Sequence, residues 1–145
     1  MNTRLSLPIY ACVIFLKDDS ILLLQRSNTG YLDGSWAIPG GSLDPDETVV
    51  TSAIREMSEE LNVRIHPEDL SLAHVLHAYP PVGNSLGFYF IASAWQGEPE
   101  NIEVHKHADM QWFPLRQLPE NLAPSARQVI EYLNADKNVH FSINK

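Results

Sequence analysis

Gly41-Ser42-Leu43-Asp44-Pro45-Asp46-Glu47-Thr48-Val49-Val50-Thr51-Ser52-Ala53-Ile54-Arg55-Glu56-Met57-Ser58-Glu59-Glu60-Leu61-Asn62-Val63 is the stretch on which the reading of this chain turns. Asp44-Pro45-Asp46-Glu47 offers cap residues and early negative charge for a helix start, and from Thr48 to Leu61 apolar residues recur at 50, 53, 54, 57 and 61. That is the stripe of an amphipathic helix. At about 100° per residue, Glu56, Glu59 and Glu60 share an arc of roughly 100° on another face. Like charges so spaced repel by a few tenths of a kcal/mol per pair, and by more when partly buried. Something positive is needed to hold them. Three glutamates on a helix are by themselves more often a solvated acidic face than a site. Here Gly40 and Gly41 just upstream permit close backbone approach, and Arg55 can grip a carboxylate with both arms of its guanidinium.

Working outward, Ile9 to Leu16 and Ile21 to Gln25 are apolar, β-rich runs joined by Lys17-Asp18-Asp19-Ser20, which predicts a β-hairpin. Trp36-Ala37-Ile38-Pro39 reads as a strand stopping at a Gly40-Gly41 turn. Leu70 to Tyr79 and Leu86 to Trp95 read as two longer strands linked by Pro80-Pro81-Val82-Gly83-Asn84, and Met110 to Phe113 as a short one. A second helix is predicted from about Pro124 to Leu133, with proline in its first turn. The last ten residues carry no clear signal. Strands, helix, strands, helix predict an α/β fold around one mixed sheet, a single domain over residues 1–145.

Composition narrows the function. No run approaches the roughly 20 apolar residues of a membrane-spanning helix, and nothing in Met1-Asn2-Thr3-Arg4-Leu5 reads as a secretory signal, so a cytoplasmic location is expected by default. Cys12, the single cysteine, lies in an apolar run and reads as a buried structural thiol. The net charge of -8, from 18 acidic and 10 basic residues, repels nucleic-acid polymers. A small phosphate ester bridged by cations remains compatible.

From Gly41 the segment runs five residues to Glu47, seven more, then Arg55-Glu56-Met57-Ser58-Glu59-Glu60-Leu61-Asn62-Val63. In this spacing the chain resembles the Nudix hydrolase family, whose box is glycine, five residues, glutamate, seven residues, then Arg-Glu-apolar-any-Glu-Glu-any-Gly-apolar. Every fixed position matches except Asn62, where the family usually has a glycine that ends the helix in a left-handed turn; asparagine tolerates that turn next best, at a cost of about 1 kcal/mol or less. The box covers 23 of 145 residues, and Trp36-Ala37-Ile38-Pro39-Gly40 and Trp112-Phe113-Pro114-Leu115 also look like family features.

The resemblance implies an α/β/α sandwich and a Mg²⁺-dependent pyrophosphohydrolase, with Mn²⁺ able to substitute. It implies that Glu56, Glu59 and Glu60, with the Gly40 carbonyl, hold the metal, that Glu56 also serves as general base, and that Arg55 orients a glutamate. Glu47 then fixes the loop or helix start. Arg26, with Gly41, is assigned to substrate, Arg26 resembling the phosphate-contacting arginine of MutT-like members; a solvated strand end is the competing reading. Many members add a carboxylate from outside the box, for which Glu103 is the best candidate, with Glu98 and Glu100 competing. His105 and His107 flank Lys106 without a familiar zinc spacing and read as a solvated loop, while His74 and His77 face opposite sides of a strand.

A nucleoside triphosphate, cut to monophosphate and pyrophosphate, is the favoured substrate. A nucleoside diphosphate sugar such as ADP-ribose is the alternative, and a non-catalytic nucleotide-binding module is a third reading, which the intact set of box glutamates disfavours. The asparagine by which MutT-type members read oxidised guanine falls near Ala126, which does not match. Tyr79, Phe88, Tyr89 and Trp112 are candidates for stacking on a base, at least half of them expected in the core. A homodimer, frequent among such proteins, is compatible with the sequence, although no exposed apolar stripe compels one.

Overall fold

The computed structural model describes residues 3–81, 83–133 and 137–144; Val82, in the expected link between the two longer strands, lies outside them. The predicted hairpin is β1 (Ile9–Lys17) and β2 (Ser20–Arg26), paired antiparallel at Leu16↔Ile21 and Lys17↔Ser20. Asp18 and Asp19 both take positive φ, 52° and 61°, the geometry of a two-residue hairpin turn. Beyond this turn the strands part. β1 pairs parallel with β6 (Ser85–Ala92) along Ile9 to Phe15 and antiparallel with β4 (Gly40–Ser42) at Tyr10 to Cys12. β2 lies between β3 (Trp36–Ala37) and β7 (His107–Pro114). β5 (Leu70–Ala78) pairs antiparallel with β6, and β8 (His140–Ile143) lies parallel to β5 as the outermost strand.

The sheet is mixed and sandwiched between two helices, α1 (Val49–Leu61) and α2 (Pro124–Glu131). Its central strands are buried on both faces, which explains why β1 and β2 read as unbroken apolar runs. Ala11, Val13, Phe15, Leu22 and Leu24 pack towards Ala53, Met57 and Leu61 of α1. Cys12, Ile14, Ile21 and Leu23 pack with Ala126, Val129 and Ile130 of α2. Burial of a side chain such as Met57 or Leu61, both 0% exposed, contributes about 1.5–3 kcal/mol. No helix among the described residues is long and apolar enough to cross a membrane.

Four expectations need correction. Gly40 and Gly41 form a strand rather than a turn, because β1 offers its edge where β2 has peeled away. Helix α1 is capped by Thr48, with the Thr48 hydroxyl accepting from Thr51 N–H at 3.0 Å and the Thr51 hydroxyl from Thr48 N–H at 2.9 Å; its first turn holds no acidic residue. The 44–47 segment precedes the helix. The strand predicted at 110–113 begins at His107. The tail contains β8, docked by Ser142, whose Oγ lies 2.7 Å from His74 Nε2 and accepts from Gln128 Nε2 at 3.0 Å. Its other face leaves Phe141 and Ile143 exposed, an apolar pair at the sheet edge that alternation in so short a strand did not signal. His77, opposite in face to buried His74, meets Asn84 Oδ1 at 2.9 Å.

Candidate active site

The last two turns of α1 carry the acidic face over strand β4. Glu60 is 5% exposed, Glu56 is half-buried and Glu59 is exposed. A Cβ on Gly41 would coincide with the carboxylate of Glu56, and one on Gly40 would strike Ala11 O and Cys12 Sγ. Glycine at 41 is thus required by Glu56 itself, whatever else approaches the strand.

Arg55 supplies the positive charge the cluster needs. Its Nε and Nη2 donate to the two carboxylate oxygens of Glu47 at 2.7 and 2.9 Å, a bidentate grip, while Nη1 reaches Glu59 at 3.0 Å and Glu56 Oε1 at 3.1 Å. The hydrogen bonds from Arg55 hold the Glu47 carboxyl down at about 2, helped by the Asp44 backbone N–H. Glu47 therefore anchors the guanidinium, and the guanidinium spans two box glutamates.

The C-terminal turn of α1 builds the other wall. Asn62 ends the helix at φ 56° and ψ 37°, donating its N–H to the carbonyls of Ser58 and Met57. The next unfilled carbonyls, of Glu60 and Leu61, accept from Ile102 N–H at 3.1 Å and Glu100 N–H at 2.9 Å. This docks the 97–106 loop on the helix end and carries Glu103 to the cleft beside Glu60, whereas Glu98 and Glu100 are exposed and line no part of it. Lys106 Nζ stands 3.6 Å from Glu103.

Arg26, at the end of β2, faces the same cleft. It is tied down by its Nε donating to Tyr31 O at 2.8 Å and its Nη2 to Thr29 Oγ1 at 3.2 Å, with the Tyr31 ring beneath it. Asp33 holds this loop together by accepting from Thr29 and Gly30. Glutamates 56, 59, 60 and 103 together with Arg26, Lys106 and His107 line a cleft of about 440 Å³.

His107 corrects the sequence reading. His105 and Lys106 are exposed, but the His107 side chain is 12% exposed, with Nε2 3.9 Å from Glu60 Oε1. Leu24 pairs with Met110 on the α1 side of the sheet; regular alternation would put Ala108, not His107, on that side. The register shifts between Gln25 and Arg26, so that Arg26 pairs with His107, and this bulge turns the imidazole into the cleft. The signal was the His-x-x-Met spacing at a strand start, uninterpretable without the bulge.

Burial pushes the Glu60 carboxyl well above its usual range, with Glu56 and Glu103 adding to it and Lys106 opposing. Burial likewise raises Glu56, with Arg55 acting against it. Burial lowers the His107 ring below the usual histidine value, against the pull of Glu103. Two features fit these residues to a divalent cation. Glu60 Oε2 is buried without a hydrogen-bond partner, and ligand atoms of Glu60, Glu103 and His107 all lie within 4.8 Å of one another. Cys12, behind Gly40, is pushed up to about 12, mainly by burial and also by the charges of Glu60 and Glu56, so it stays an inert thiol.

The remaining candidates lie elsewhere. Ala126 is 1% exposed in the α2 core, and Tyr89 is buried with it. Trp112 stacks on Trp95 at 6.5 Å between ring centres, Phe88 packs on the α1 side, and exposed Tyr79 lies near His77. None lines the acidic cleft.

The family model for the NUDIX domain matches residues 7–133. The chain belongs to the Nudix hydrolase family. It is 32% identical over 98 residues to an 8-oxo-dGTP diphosphatase of Proteus vulgaris, covering 68% of this chain and 86% of that protein. It is 28% identical over 120 residues to an ADP-ribose pyrophosphatase of Methanocaldococcus jannaschii, covering 83% and 69%. Among solved structures, a MutT NUDIX hydrolase from Burkholderia pseudomallei superposes with a TM-score of 0.82 at 27% identity, over 89% of this chain and 99% of that one. As a Nudix hydrolase, this chain is related to enzymes that act on nucleotide phosphoanhydrides.

Proposed function

We propose that this Nudix hydrolase is a divalent-metal-dependent pyrophosphohydrolase that cuts a nucleoside triphosphate to its monophosphate and pyrophosphate. One observation carries the reading: Glu60, a buried carboxylate whose Oε2 lacks a hydrogen-bond partner, sits among Glu56, Glu59 and Glu103 in a cleft that Arg26 and Lys106 also line. Clustered anionic oxygens need a cation, and the cationic side chains beside them suit phosphate.

In this reading Glu56, Glu59, Glu60, Glu103 and the Gly40 carbonyl hold Mg²⁺, for which hard oxygen donors are suited, and Mn²⁺ can replace it. Bound there, the cation supplies neutralisation of the diphosphate charge and acidification of water. Glu56, ionised beside the cation, would accept a proton from the attacking water. Arg55, locked by Glu47, is a positioning residue that keeps the Glu56 and Glu59 carboxylates aimed into the cleft. Arg26 orients the phosphate chain for in-line attack, its own geometry set by Thr29 and Tyr31.

The runner-up substrate is a nucleoside diphosphate sugar, favoured by the relative named an ADP-ribose pyrophosphatase. The cleft's polar donors would contact a diphosphate and leave the rest of the substrate unspecified. Cleaning of oxidised guanine nucleotides, the activity in the name of the Proteus vulgaris relative, has no support at Ala126, which is buried. Incubating the protein with triphosphates and diphosphate sugars, with and without Mg²⁺, and resolving products by chromatography tests the proposal. Monophosphate and pyrophosphate from a triphosphate only with metal is the expected result. Preferential cleavage of a diphosphate sugar selects the runner-up, and no cleavage under any condition identifies a binding module.

A further inference from the structure

The cleft's inner end differs chemically from its outer end. Towards solvent, half-buried Glu56 and exposed Glu59 offer oxygens only. At the inner end, ligand atoms of Glu60 and Glu103 stand with a ring nitrogen of His107, all within 4.8 Å of one another, and the Glu60–His107 separation is 3.9 Å. An ion bound at about 2.1 Å holds neighbouring ligands about 3 Å apart and opposite ones about 4.2 Å apart. The three groups therefore need shifts of about 0.5–1 Å to share one ion. Their backbones are held in place by three separate devices: the helix-end carbonyl of Glu60 accepting from Ile102 N–H, the 103–107 turn closed by His107 N–H to Glu103 O at 3.0 Å, and the strand bulge opposite Arg26.

We propose that Glu60, Glu103 and His107 form a mixed oxygen–nitrogen metal position at the inner end of the cleft, which takes a first-row transition ion such as Mn²⁺ in preference to Mg²⁺. The reasoning is from ligand softness: imidazole nitrogen bonds transition ions well and Mg²⁺ poorly. Two independent observations support a ligand there. Glu60 Oε2 is buried without a partner, which a charged group does not tolerate alone, and the bulge spends sheet regularity to bring in an imidazole that a solvated loop would not need. Asn101 donates to the His107 carbonyl at 2.8 Å while its own Oδ1 and His107 Nδ1 are both buried and unpartnered. A donor and an acceptor thus stand at one turn, and a bridging water would give the ring the outer partner that metal-bound imidazoles ordinarily have.

The inference rests on the cleft being a divalent-cation site, and its test separates the two claims. Untagged, metal-free protein is titrated with Mn²⁺ and with Mg²⁺ without nucleotide in a nitrogen-free buffer, and the Mn²⁺ complex is examined by pulsed electron paramagnetic resonance for coupling to ¹⁴N. The wild type is expected to show one directly bound imidazole nitrogen. His107→Asn should abolish that coupling and weaken Mn²⁺ binding on the order of tenfold or more, with Mg²⁺ affinity changed by less than about threefold. Binding of both ions without nitrogen coupling, or coupling that persists in His107→Asn, overturns the proposal and leaves the cation site standing. Failure of the wild type to bind either ion overturns both. Since the nitrogen signal is read in the wild type, a poorly folding variant does not rescue the idea.

Discussion

Replacing Glu56 by glutamine preserves the side chain's size while removing the charge and the proton acceptor that the proposed mechanism requires. Turnover should fall by on the order of a thousandfold or more with the folded state intact, as read by steady-state kinetics beside circular dichroism. Near-normal turnover would exclude Glu56 from the chemistry. Glu47 makes a different, pH-resolved prediction. Its carboxyl lies at about 2 in the folded protein against an ordinary value of 4.5. A folded value below the unfolded one means the Glu47–Arg55 contact stabilises the fold fully above the unfolded pKa, and that this stabilisation is lost as the pH falls through the folded one. The gap in unfolding free energy between wild type and Glu47→Gln should thus be constant above about pH 5.5 and close as pH approaches 2. Denaturant titrations across that range measure it, and a gap equally wide at both ends would show that the contact contributes nothing through charge.

At the scale of elements, the start of α1 depends on Thr48. It satisfies one exposed helix donor directly and is satisfied by Thr51 in return, so Thr48→Ala should cost about 1 kcal/mol in urea unfolding. No measurable cost would mean that Asp44 to Glu47 holds the helix start without the cap. The helix period was readable because α1 packs one stripe on the sheet, and the hairpin because its turn chemistry is local. The cap residue was not, since Asp44, Asp46 and Thr48 are all good caps and the structure uses the Thr48–Thr51 pair. β8 escaped for a related reason. Among its four residues only Ser142 is buried, and what holds the strand is pairing with β5 and the contacts of Ser142 with His74 and Gln128, both distant in sequence.

At the scale of the whole molecule, the proposed cation site would couple metal to stability. A cation at a hundredfold excess over its Kd adds about 2.7 kcal/mol to the folded state, so chelation should lower the melting temperature. Glu60→Gln removes a charge buried among like charges, and in chelator it should melt about 2–4 °C higher than wild type, with a smaller gain on adding Mg²⁺. A variant that melts lower in chelator and gains as much from Mg²⁺ would show that Glu60 is neither strained without metal nor a ligand.

By itself the chain's sequence determined the helix with its glutamate face, the hairpin and the family, because each is written in local spacing and periodicity. Only the tertiary structure decided that Glu103 rather than Glu98 or Glu100 reaches the cleft, since the choice depends on which loop amides meet the spare carbonyls at the end of α1. It likewise decided that His107 turns inward, because a single extra residue in a strand exchanges the two faces of everything beyond it, and nothing local in the sequence reports that shift.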